Sequence, residues 1–403
     1  MRDRNMKNRS LKLAVAAFCA VAASCAFCAT GVSAGGVDEA LFDSLLRVKS
    51  ESRNMAELRR AVDVLKDWLE ARGVHCTVER NEKGMVALYA ATTPGKVHDY
   101  LFVSHVDVVP APDSMFVPRR DGDWVYARGA CDTKGNVVVI AQVLANLVGK
   151  ASVGAMIATD EEGGKIGTAT PKMMVDSGYL PRKMVLVGDS AGEEPGQLFV
   201  GEKGHAVIRL VAHGKGGHSS RPWALDNPIA RLCTGYARFA EAWDRNSPPS
   251  LGKWRTVASP TVVNGGETAN VVPDDAYMLL SCRFTTMEDY ARICDCLGRT
   301  TGCEVIAPKR PGRLPVANRD DDPEIAALFA AMKARIPGFR LGRMSAATDA
   351  TFYVHLGIPI VIFAADGCEP HSDNERGSIS SMNLYSDVFT EYFGSKGPDK
   401  KGE

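Results

Sequence analysis

The chain has 403 residues, of which 45% are hydrophobic and 24% are charged. The length is typical of a protein of two or three domains, and it excludes a peptide hormone and a small disulfide scaffold. The proportions are those of a folded protein, and they exclude a polytopic membrane protein and a disordered chain. The 48 basic and 48 acidic side chains give a formal net charge of +0. No basic segment interleaved with aromatic residues follows the first dozen positions, so nucleic acid is not an expected partner.

Residues 1–34 have the pattern of a secretory signal peptide. A basic start precedes an uncharged, Ala-rich apolar segment, and Val32-Ser33-Ala34 supplies the small residues that a signal peptidase recognises. A retained membrane anchor and a lipoprotein with its lipid on Cys25 are the alternatives. The sequence therefore predicts an exported protein, periplasmic or extracellular.

Three of the 11 cysteines lie in this leader, and the others can form disulfides in an oxidising compartment without having to do so. Cys294, Cys296 and Cys303 are close enough in sequence for one pair to form a bridge. The alternative is that they are small buried hydrophobic side chains.

After the leader, helices and strands alternate. Apolar residues recur at helical spacing between Glu39 and Gly73, which predicts two helices. A buried helix is predicted over residues 134–148, and strands are predicted at CTVER, MVALYA, YLFVSHVDVV, residues 151–159 and KMVLVGD. This alternation indicates an α/β layered sheet.

Residues 204–309 follow a different pattern, in the order strand, helix, strand, strand, helix, strand, which is the ferredoxin-like unit. We expect an inserted domain here, with residues 37–203 and 310–393 forming the domain that surrounds it. The α/β pattern then resumes with helices over 322–335 and 349–356, the strand IPIVIFAA, a closing helix from Ser380 and a polar tail at 394–403.

Side chains of metal-ligand type directly follow several predicted strands. His105 and Asp107 end one buried strand two positions apart, so both leave the same face. Asp132 lies in a Gly-bounded turn before a helix, while Asp189 and His371 each follow a strand. Taken singly, each residue also has an ordinary explanation, such as a satisfied core histidine or a helix cap.

The segment TDEEGG places Asp160, Glu161 and Glu162 after another strand. Adjacent carboxylates repel one another unless a cation or a shared proton relieves them, although a solvated acidic turn is the alternative. One Glu can bind a metal while its neighbour acts as a general base. Together the strand ends supply two imidazoles and three carboxylates, which suit two zinc ions sharing one acid: His105, Asp132, Glu162, Asp189 and His371.

In the order and spacing of these motifs the chain resembles the co-catalytic two-zinc exopeptidase and amidohydrolase family, which includes glutamate carboxypeptidase, aminoacylase, acetylornithine deacetylase and succinyl-diaminopimelate desuccinylase. The resemblance rests on SHVDVVP, GACDTKG, TDEEGG and PHSDNE and covers nearly the whole chain after the leader. It implies an α/β/α zinc-peptidase-like catalytic domain with an inserted ferredoxin-like lid through which two chains dimerise. It also implies two zinc ions per chain, with cobalt or manganese as substitutes.

The resemblance assigns a role to each residue of these motifs. It makes His105 a zinc ligand oriented by Asp107, Asp132 the bridging ligand, and Glu161 the general base. Glu162 and His371 become zinc ligands as well. At VLVGDS many family members carry Glu, whereas this chain has Asp189, with Glu193 and Glu194 close behind.

Within the inserted domain, GKGGHSS resembles a lid segment whose histidine, here His218, reaches the active site of the partner subunit and stabilises an oxyanion. The segment NGGETANVVPDDAYMLLSCRF nominates Asn270 for the substrate carbonyl and Arg283 for a substrate carboxylate. The expected activity is hydrolysis of small N-acyl amino acids or short peptides. An exported solute-binding protein and an inactive relative are the alternatives, and Glu161 between two other acids favours the enzyme.

Overall fold

The computed structural model describes residues 36–163, 169–189, 196–245, 252–319 and 321–398. The predicted signal peptide at residues 1–34 lies outside the described residues. No helix among the described residues combines the length and the apolar character needed to cross a membrane.

In the first part of the described chain, helices alternate with strands, as the sequence predicts. The helices are α1 (Glu39–Leu46), α2 (Met55–Glu70), α3 (Lys134–Leu147) and α4 (Thr170–Asp176). The strands are β1 (His75–Arg80), β2 (Val86–Ala91), β3 (Val97–His105), β4 (Arg119–Asp121), β5 (Trp124–Tyr126), β6 (Val153–Ala158), β7 (Leu180–Gly188) and β8 (Gln197–Glu202).

The inserted segment contains β9 (Gly204–His213), β10 (Gly217–His218), α5 (Pro228–Arg245), β11 (Val257–Asn264), β12 (Val271–Val272), β13 (Asp275–Phe284), α6 (Met287–Thr300) and β14 (Glu304–Ile306). The chain then continues through β15 (Val316–Ala317), α7 (Pro323–Arg335), β16 (Arg340–Met344), β17 (Ile360–Phe363), β18 (Gly367–Cys368), β19 (Arg376–Ser378) and α8 (Ile379–Gly394).

The main sheet has the strand order β1-β2-β6-β3-β7-β17-β8-β15, with β16 paired to β8. Its centre is parallel, because β3 pairs in parallel with both β6 and β7, and β17 pairs in parallel with β7. Side chains of β3 alternate between two cores: Tyr100 and Phe102 face one, and Leu101 and Val103 face the other. Helices cover the first core, and α4 with the segment around Tyr353 covers the second, which gives the predicted α/β/α layers.

The inserted segment forms its own antiparallel sheet in the order β11-β13-β9-β14. Numbered by position in the unit, this order is 2-3-1-4, the ferredoxin-like arrangement that the sequence predicts. Leu232 of α5 and Ile293 of α6 pack against Ile208 and Leu280 of this sheet in a separate core. We refer to residues 204–309 as the lid.

One prediction from the sequence differs from the structure. Residues 349–356 form two short 3-10 turns, Asp349–Phe352 and Val354–Leu356, in place of the predicted α-helix. The second turn ends at Gly357, whose φ of 68° a side chain would disfavour. No disulfide forms among the described residues; Cys296 packs as a buried side chain in the lid core, with Cys294 and Cys303 beside it.

Candidate metal centre

The predicted metal-binding residues converge where adjacent parallel strands end. Since β6, β3 and β7 are neighbours and run in parallel, their carboxyl ends lie at one edge of the sheet. His105 is the last residue of β3, the acidic turn at 160–162 follows β6, and Asp189 directly follows β7. Asp132 comes from the turn before α3, and His371 comes from the turn between β18 and β19.

Asp132 faces two groups of ligand atoms at once. Its Oδ1 lies 3.3 Å from Nε2 of His105, which is 3.9 Å from Oδ1 of Asp189. Its Oδ2 lies 3.3 Å from Nε2 of His371, which is 2.8 Å from Oε1 of Glu162. The three ligand atoms of each group lie within 4.8 Å of one another, and Asp132 belongs to both groups. The structure thus brings all five predicted ligands together around one shared carboxylate.

The donor atoms of this centre fit bound metal ions. Nε2 of His105 and Oδ1 of Asp132 are buried and have no hydrogen-bond partner among the described residues. An unsatisfied buried polar atom costs about 1–3 kcal/mol, and a cation bound by both atoms would remove that cost. Imidazole and carboxylate donors suit zinc and related divalent ions. The structure therefore supports a centre for two metal ions.

The carboxylates around the two imidazoles favour positive charge in the centre. Burial opposes protonation of His105, but the neighbouring carboxylates of Asp107, Asp132 and Asp189 raise the pKa of His105 well above its ordinary value. Hydrogen bonds to Asp132 and Glu162 raise the pKa of His371 to about 10. Because a metal displaces the ring protons, we expect metal binding to release protons.

Asp107 contacts both a histidine ligand and the acidic turn at 160–162. Nδ1 of His105 lies 3.5 Å from Oδ1 of Asp107 and 2.9 Å from the main-chain oxygen of Asp107, and contacts of this kind fix the orientation of an imidazole ring. The same carboxylate accepts hydrogen bonds from the main-chain N–H groups of Glu161 and Glu162, at 3.1 and 3.0 Å, and from the hydroxyl of Ser52 at 2.9 Å. Asp107 therefore fixes both a histidine ligand and the acidic turn.

Glu161 lies beside the metal ligands and is not one of them. Its side chain is only 14% exposed, and Oε1 accepts a hydrogen bond from Nη2 of Arg313 at 3.1 Å. Burial, followed by the charges of Asp349 and Asp189, raises the pKa of Glu161 well above its ordinary value. A carboxylate with raised basicity next to a metal centre is suited to accept a proton.

A buried ion pair that the sequence interpretation did not single out holds two of the ligand loops. Oε1 of Glu375 accepts hydrogen bonds from the main-chain N–H groups of Gly129, Cys131 and Asp132. Nη1 of Arg128 donates to Oε2 of Glu375 at 2.5 Å, and Nη2 donates to the carbonyl of His371 at 3.2 Å.

The backbone of His371 is in the left-handed region, with a φ of 64°, which is uncommon outside glycine. Arg128 donates a hydrogen bond to the His371 carbonyl, and the Asp132 main-chain N–H donates one to the Glu375 carboxylate, so one buried pair holds both ligands. In the sequence, Glu375 is the last residue of the motif PHSDNE, and Arg128 and Glu375 each lie four residues from a ligand-type side chain.

Replacing Arg128 with Met is expected to lower the free energy of unfolding of the metal-free protein by about 3–5 kcal/mol, because the Glu375 charge would stay buried without its partner. Both side chains are almost inaccessible, at 2% and 0% exposure. Arg60→Met is the matched control, since its ion pair with Glu57 is exposed and should change stability by about 0.5 kcal/mol or less. Denaturant unfolding measures both, and an equally small effect for the two variants would contradict this role.

Glu202, at the end of β8, is a buried acid near the centre. Its Oε2 accepts hydrogen bonds from the main-chain N–H and the hydroxyl of Thr348, at 3.0 and 2.8 Å. Burial raises the pKa of Glu202 from 4.5 to about 8, although the bonds from Thr348 oppose the shift. The folded protein thus retains a proton that the unfolded chain releases above about pH 4.5.

Glu202→Gln is therefore expected to stabilise the protein relative to wild type by an amount that grows as the pH rises. Below pH 4.5 both the folded and the unfolded wild-type protein carry the proton on Glu202, so the stability difference between the variant and wild type is small. Between pH 4.5 and about 8, each pH unit adds about 1.4 kcal/mol to this difference. Denaturant unfolding at several pH values measures the difference, with the exposed Glu288→Gln as the matched control. A constant difference from pH 5 to pH 8 would contradict it.

The predicted substrate-binding residues lie in the lid. His218 pairs with Val271 between β10 and β12, and the main-chain N–H of Ser219 donates to the carbonyl of Asn270 at 3.0 Å, so His218 and Asn270 lie on neighbouring strands and loops. His218 is exposed, and the hydrogen bonds of its ring to described residues are with Ser220. The structure therefore groups His218 with Asn270 and shows no hydrogen bond or ion pair from either side chain to the described metal ligands of the same chain.

The fold and the centre define a metal-dependent hydrolase of amide bonds, built from an α/β/α domain and a ferredoxin-like lid. The chain belongs to peptidase family M20/M25/M40, whose family model matches residues 101–394. This membership confirms the resemblance seen in the motifs.

Individual relatives agree with this assignment. Succinyl-diaminopimelate desuccinylase of Helicobacter hepaticus is 24% identical over 340 residues, which cover 78% of this chain and 86% of the relative. A tripeptidase from Staphylococcus aureus has a similar fold, with a TM-score of 0.72 at 20% identity, covering 90% of this chain and 99% of the other. An aminopeptidase from Bacillus cereus gives a TM-score of 0.70 at 18% identity, covering 89% and 99%.

Proposed function

We propose that this protein is an exported enzyme that uses two zinc ions to hydrolyse the amide bond of small N-acyl amino acids or short peptides with a free carboxylate. The observation that carries the proposal is the position of Asp132, whose two oxygens face separate ligand groups next to the acid Glu161. When bound, two zinc ions supply Lewis acidity that polarises the amide carbonyl and acidifies the attacking water.

The side chains around the centre complete the reaction. Glu161 removes a proton from the attacking water and delivers it to the amide nitrogen as the C–N bond breaks, so the products are a carboxylic acid and an amine. His218 donates a hydrogen bond to the oxyanion of the tetrahedral intermediate, and Asn270 binds the substrate carbonyl. Arg283 pairs with the substrate carboxylate through its planar guanidinium group.

The surroundings of Arg283 support a role in carboxylate binding. Arg283 is half-buried and lies opposite His205 in the β13–β9 register. Its side chain forms no hydrogen bond or ion pair with another described residue. A half-buried guanidinium without a counter-ion favours an anionic ligand.

Export is supported by the basic and then apolar sequence of residues 1–34. Relatives such as that of Helicobacter hepaticus bear the name succinyl-diaminopimelate desuccinylase. A biosynthetic role of that kind belongs in the cytoplasm, so an exported enzyme is better suited to scavenging acylated amino acids or trimming peptides.

The test is amine release from a panel of N-acyl amino acids and dipeptides, measured with metal-free protein before and after zinc is added. We expect zinc-dependent release from substrates with a free α-carboxylate, and weaker release from the corresponding amides, which lack the charge that Arg283 would bind. Reversible binding of these compounds with no product after zinc loading would favour the solute-binding alternative.

We further propose that two chains pair through the lid and that His218 acts in the active site of the partner. The edge strand β11 pairs only with β13 among the described strands and exposes Val262 and Val263, at 43% and 53%. Such an edge can extend the sheet across a two-fold axis. The exposed His218 forms no described hydrogen bond to the centre of its own chain, which also supports action in trans.

Subunit mixing tests this arrangement. His218→Ala and Glu161→Gln chains should each be nearly inactive alone. If His218 acts in trans, each mixed dimer has one site with both substitutions and one with neither, so the mixture should recover about half of the wild-type activity per mixed dimer. Demonstrated exchange of subunits without recovery would place His218 in its own chain or outside catalysis.

A further inference from the structure

Arg313 lies at the junction between the lid and the catalytic domain, in the segment that leads from β14 to β15. Its backbone pairs with His205 near the start of β9: the His205 N–H donates to the Arg313 carbonyl at 3.0 Å, and the Arg313 N–H donates to the His205 carbonyl at 3.3 Å. The two chain segments that connect the lid to the catalytic domain are therefore bonded to each other at this residue.

The side chain of Arg313 joins two acids of the catalytic domain. Nη2 donates to Oε1 of Glu161 at 3.1 Å, and Nη1 donates to Oδ1 of Asp349 at 2.9 Å and to the carbonyl of Thr348 at 3.2 Å. The side chain is 21% exposed, and those of Glu161 and Asp349 are 14% and 5% exposed. Ion pairs at this degree of burial hold their geometry more firmly than surface pairs.

Arg313 and Arg283 have different surroundings. His205 is paired with Arg283 across β9–β13 and with Arg313 across the junction, so the three residues form a row on neighbouring chain segments. Both arms of the Arg313 guanidinium already bind carboxylates, whereas Arg283 has no described partner. A substrate carboxylate would thus bind Arg283, whose side chain has no described partner, whereas Arg313 stays paired with Glu161 and Asp349.

We infer that Arg313 is a positioning residue: from the lid junction it fixes the carboxylate of Glu161 in the orientation required for proton transfer. This inference rests on the proposed role of Glu161 as the general base. A rigid guanidinium held by Asp349 and Thr348 limits the positions of the Glu161 carboxylate, and correct placement of a reacting group is worth a large part of the rate. Arg313 does not itself contact substrate.

The first test compares Arg313→Gln with wild type after both have been loaded with zinc to the same content. We expect kcat to fall about 10- to 100-fold, as for misplacement of a reacting group, with KM changed less than about threefold. Arg313→Lys keeps the positive charge but loses the planar guanidinium group whose two terminal nitrogens bind Asp349 and Glu161. We therefore expect Arg313→Lys to keep part of the kcat that Arg313→Gln loses. Arg310→Gln is the matched control, since Arg310 is exposed in the same segment, and it should leave both constants unchanged.

A raised KM with unchanged kcat would show that Arg313 binds substrate instead, and an unchanged kcat and KM would show that it has no such role. Both results would overturn the inference. In a Glu161→Gln background, Arg313→Gln should lower the residual kcat less than about twofold, because the group it positions is gone. An equal loss in both backgrounds would mean that Arg313 acts elsewhere.

A readout that needs no activity separates this inference from the proposed function. Unfolding free energies of metal-free wild type, Arg313→Gln, Glu161→Gln and the double variant form a cycle that reports the coupling of the two side chains. Coupling between Arg313 and Glu161 in a wild-type protein that hydrolyses no amide would contradict the proposed function, although the contact between the two side chains would be real. Absence of coupling in an active enzyme would overturn the positioning role alone.

Discussion

Glu161→Gln is expected to retain two bound metal ions and the native fold while losing about 10²- to 10⁴-fold in kcat, the usual contribution of a positioned general base. The substitution keeps the shape of the side chain and removes its negative charge, and with the charge its capacity to accept a proton. Glu161 is not in either group of ligand atoms around Asp132, so metal binding should not depend on it. Steady-state kinetics and elemental analysis of the same preparation measure both quantities.

Glu162→Gln is the matched comparison, because it replaces the adjacent residue of the same turn, whose Oε1 lies 2.8 Å from Nε2 of His371 in a ligand group. This variant should lose metal as well as activity. Turnover of Glu161→Gln near the wild-type value would show that the base is another residue, and metal loss equal to that of Glu162→Gln would show that Glu161 is a ligand.

Asp132→Ala is expected to abolish stoichiometric binding at both metal positions. Each carboxylate oxygen of Asp132 belongs to a different ligand group, so one substitution removes a donor from each. Loss of a ligand typically weakens metal affinity by more than the 10- to 100-fold that loss of an outer hydrogen bond causes. Competition with a chromogenic chelator measures the affinities in the folded, metal-free protein.

Asp160→Asn is the matched control for this prediction. Asp160 is a buried acid of the same neighbourhood, but its carboxylate accepts hydrogen bonds from the main chain and hydroxyl of Thr170 and belongs to neither ligand group. Asp160→Asn should therefore bind close to the wild-type amount of metal. Retention of one tightly bound ion by Asp132→Ala would contradict the shared-carboxylate arrangement.

The sequence predicted the parts of this centre that local patterns control. A buried parallel strand is a continuous apolar run, and the ligand-type residue directly after it must lie at the carboxyl edge of the sheet. His105, Glu162 and Asp189 were identified in this way, and the structure places all of them in the ligand groups. The order of strands and helices likewise predicted the ferredoxin-like lid.

The supporting interactions could not be predicted because they join distant positions. Arg128 and Glu375 are 247 residues apart, and Glu161 and Arg313 are 152 residues apart. Nothing in the local pattern around either arginine indicates its partner, since any exposed arginine would look the same. The pairing depends on how α3, β19 and the lid junction meet, which only the tertiary structure shows.

The predicted helix over residues 349–356 was wrong for a related reason. Asp349 binds Arg313, and the side chain of Thr351 accepts a hydrogen bond from the main-chain N–H of Leu314 at 2.5 Å. These contacts hold the segment against the lid junction as short 3-10 turns. Tertiary hydrogen bonds override a modest helical periodicity in so short a segment.

The central claim is that one carboxylate, Asp132, joins two metal positions in each chain. The most direct measurement is elemental analysis of the purified protein after zinc supplementation and removal of loosely bound ions. We expect close to two zinc ions per chain for wild type. A folded protein that retains no metal under these conditions would contradict the account.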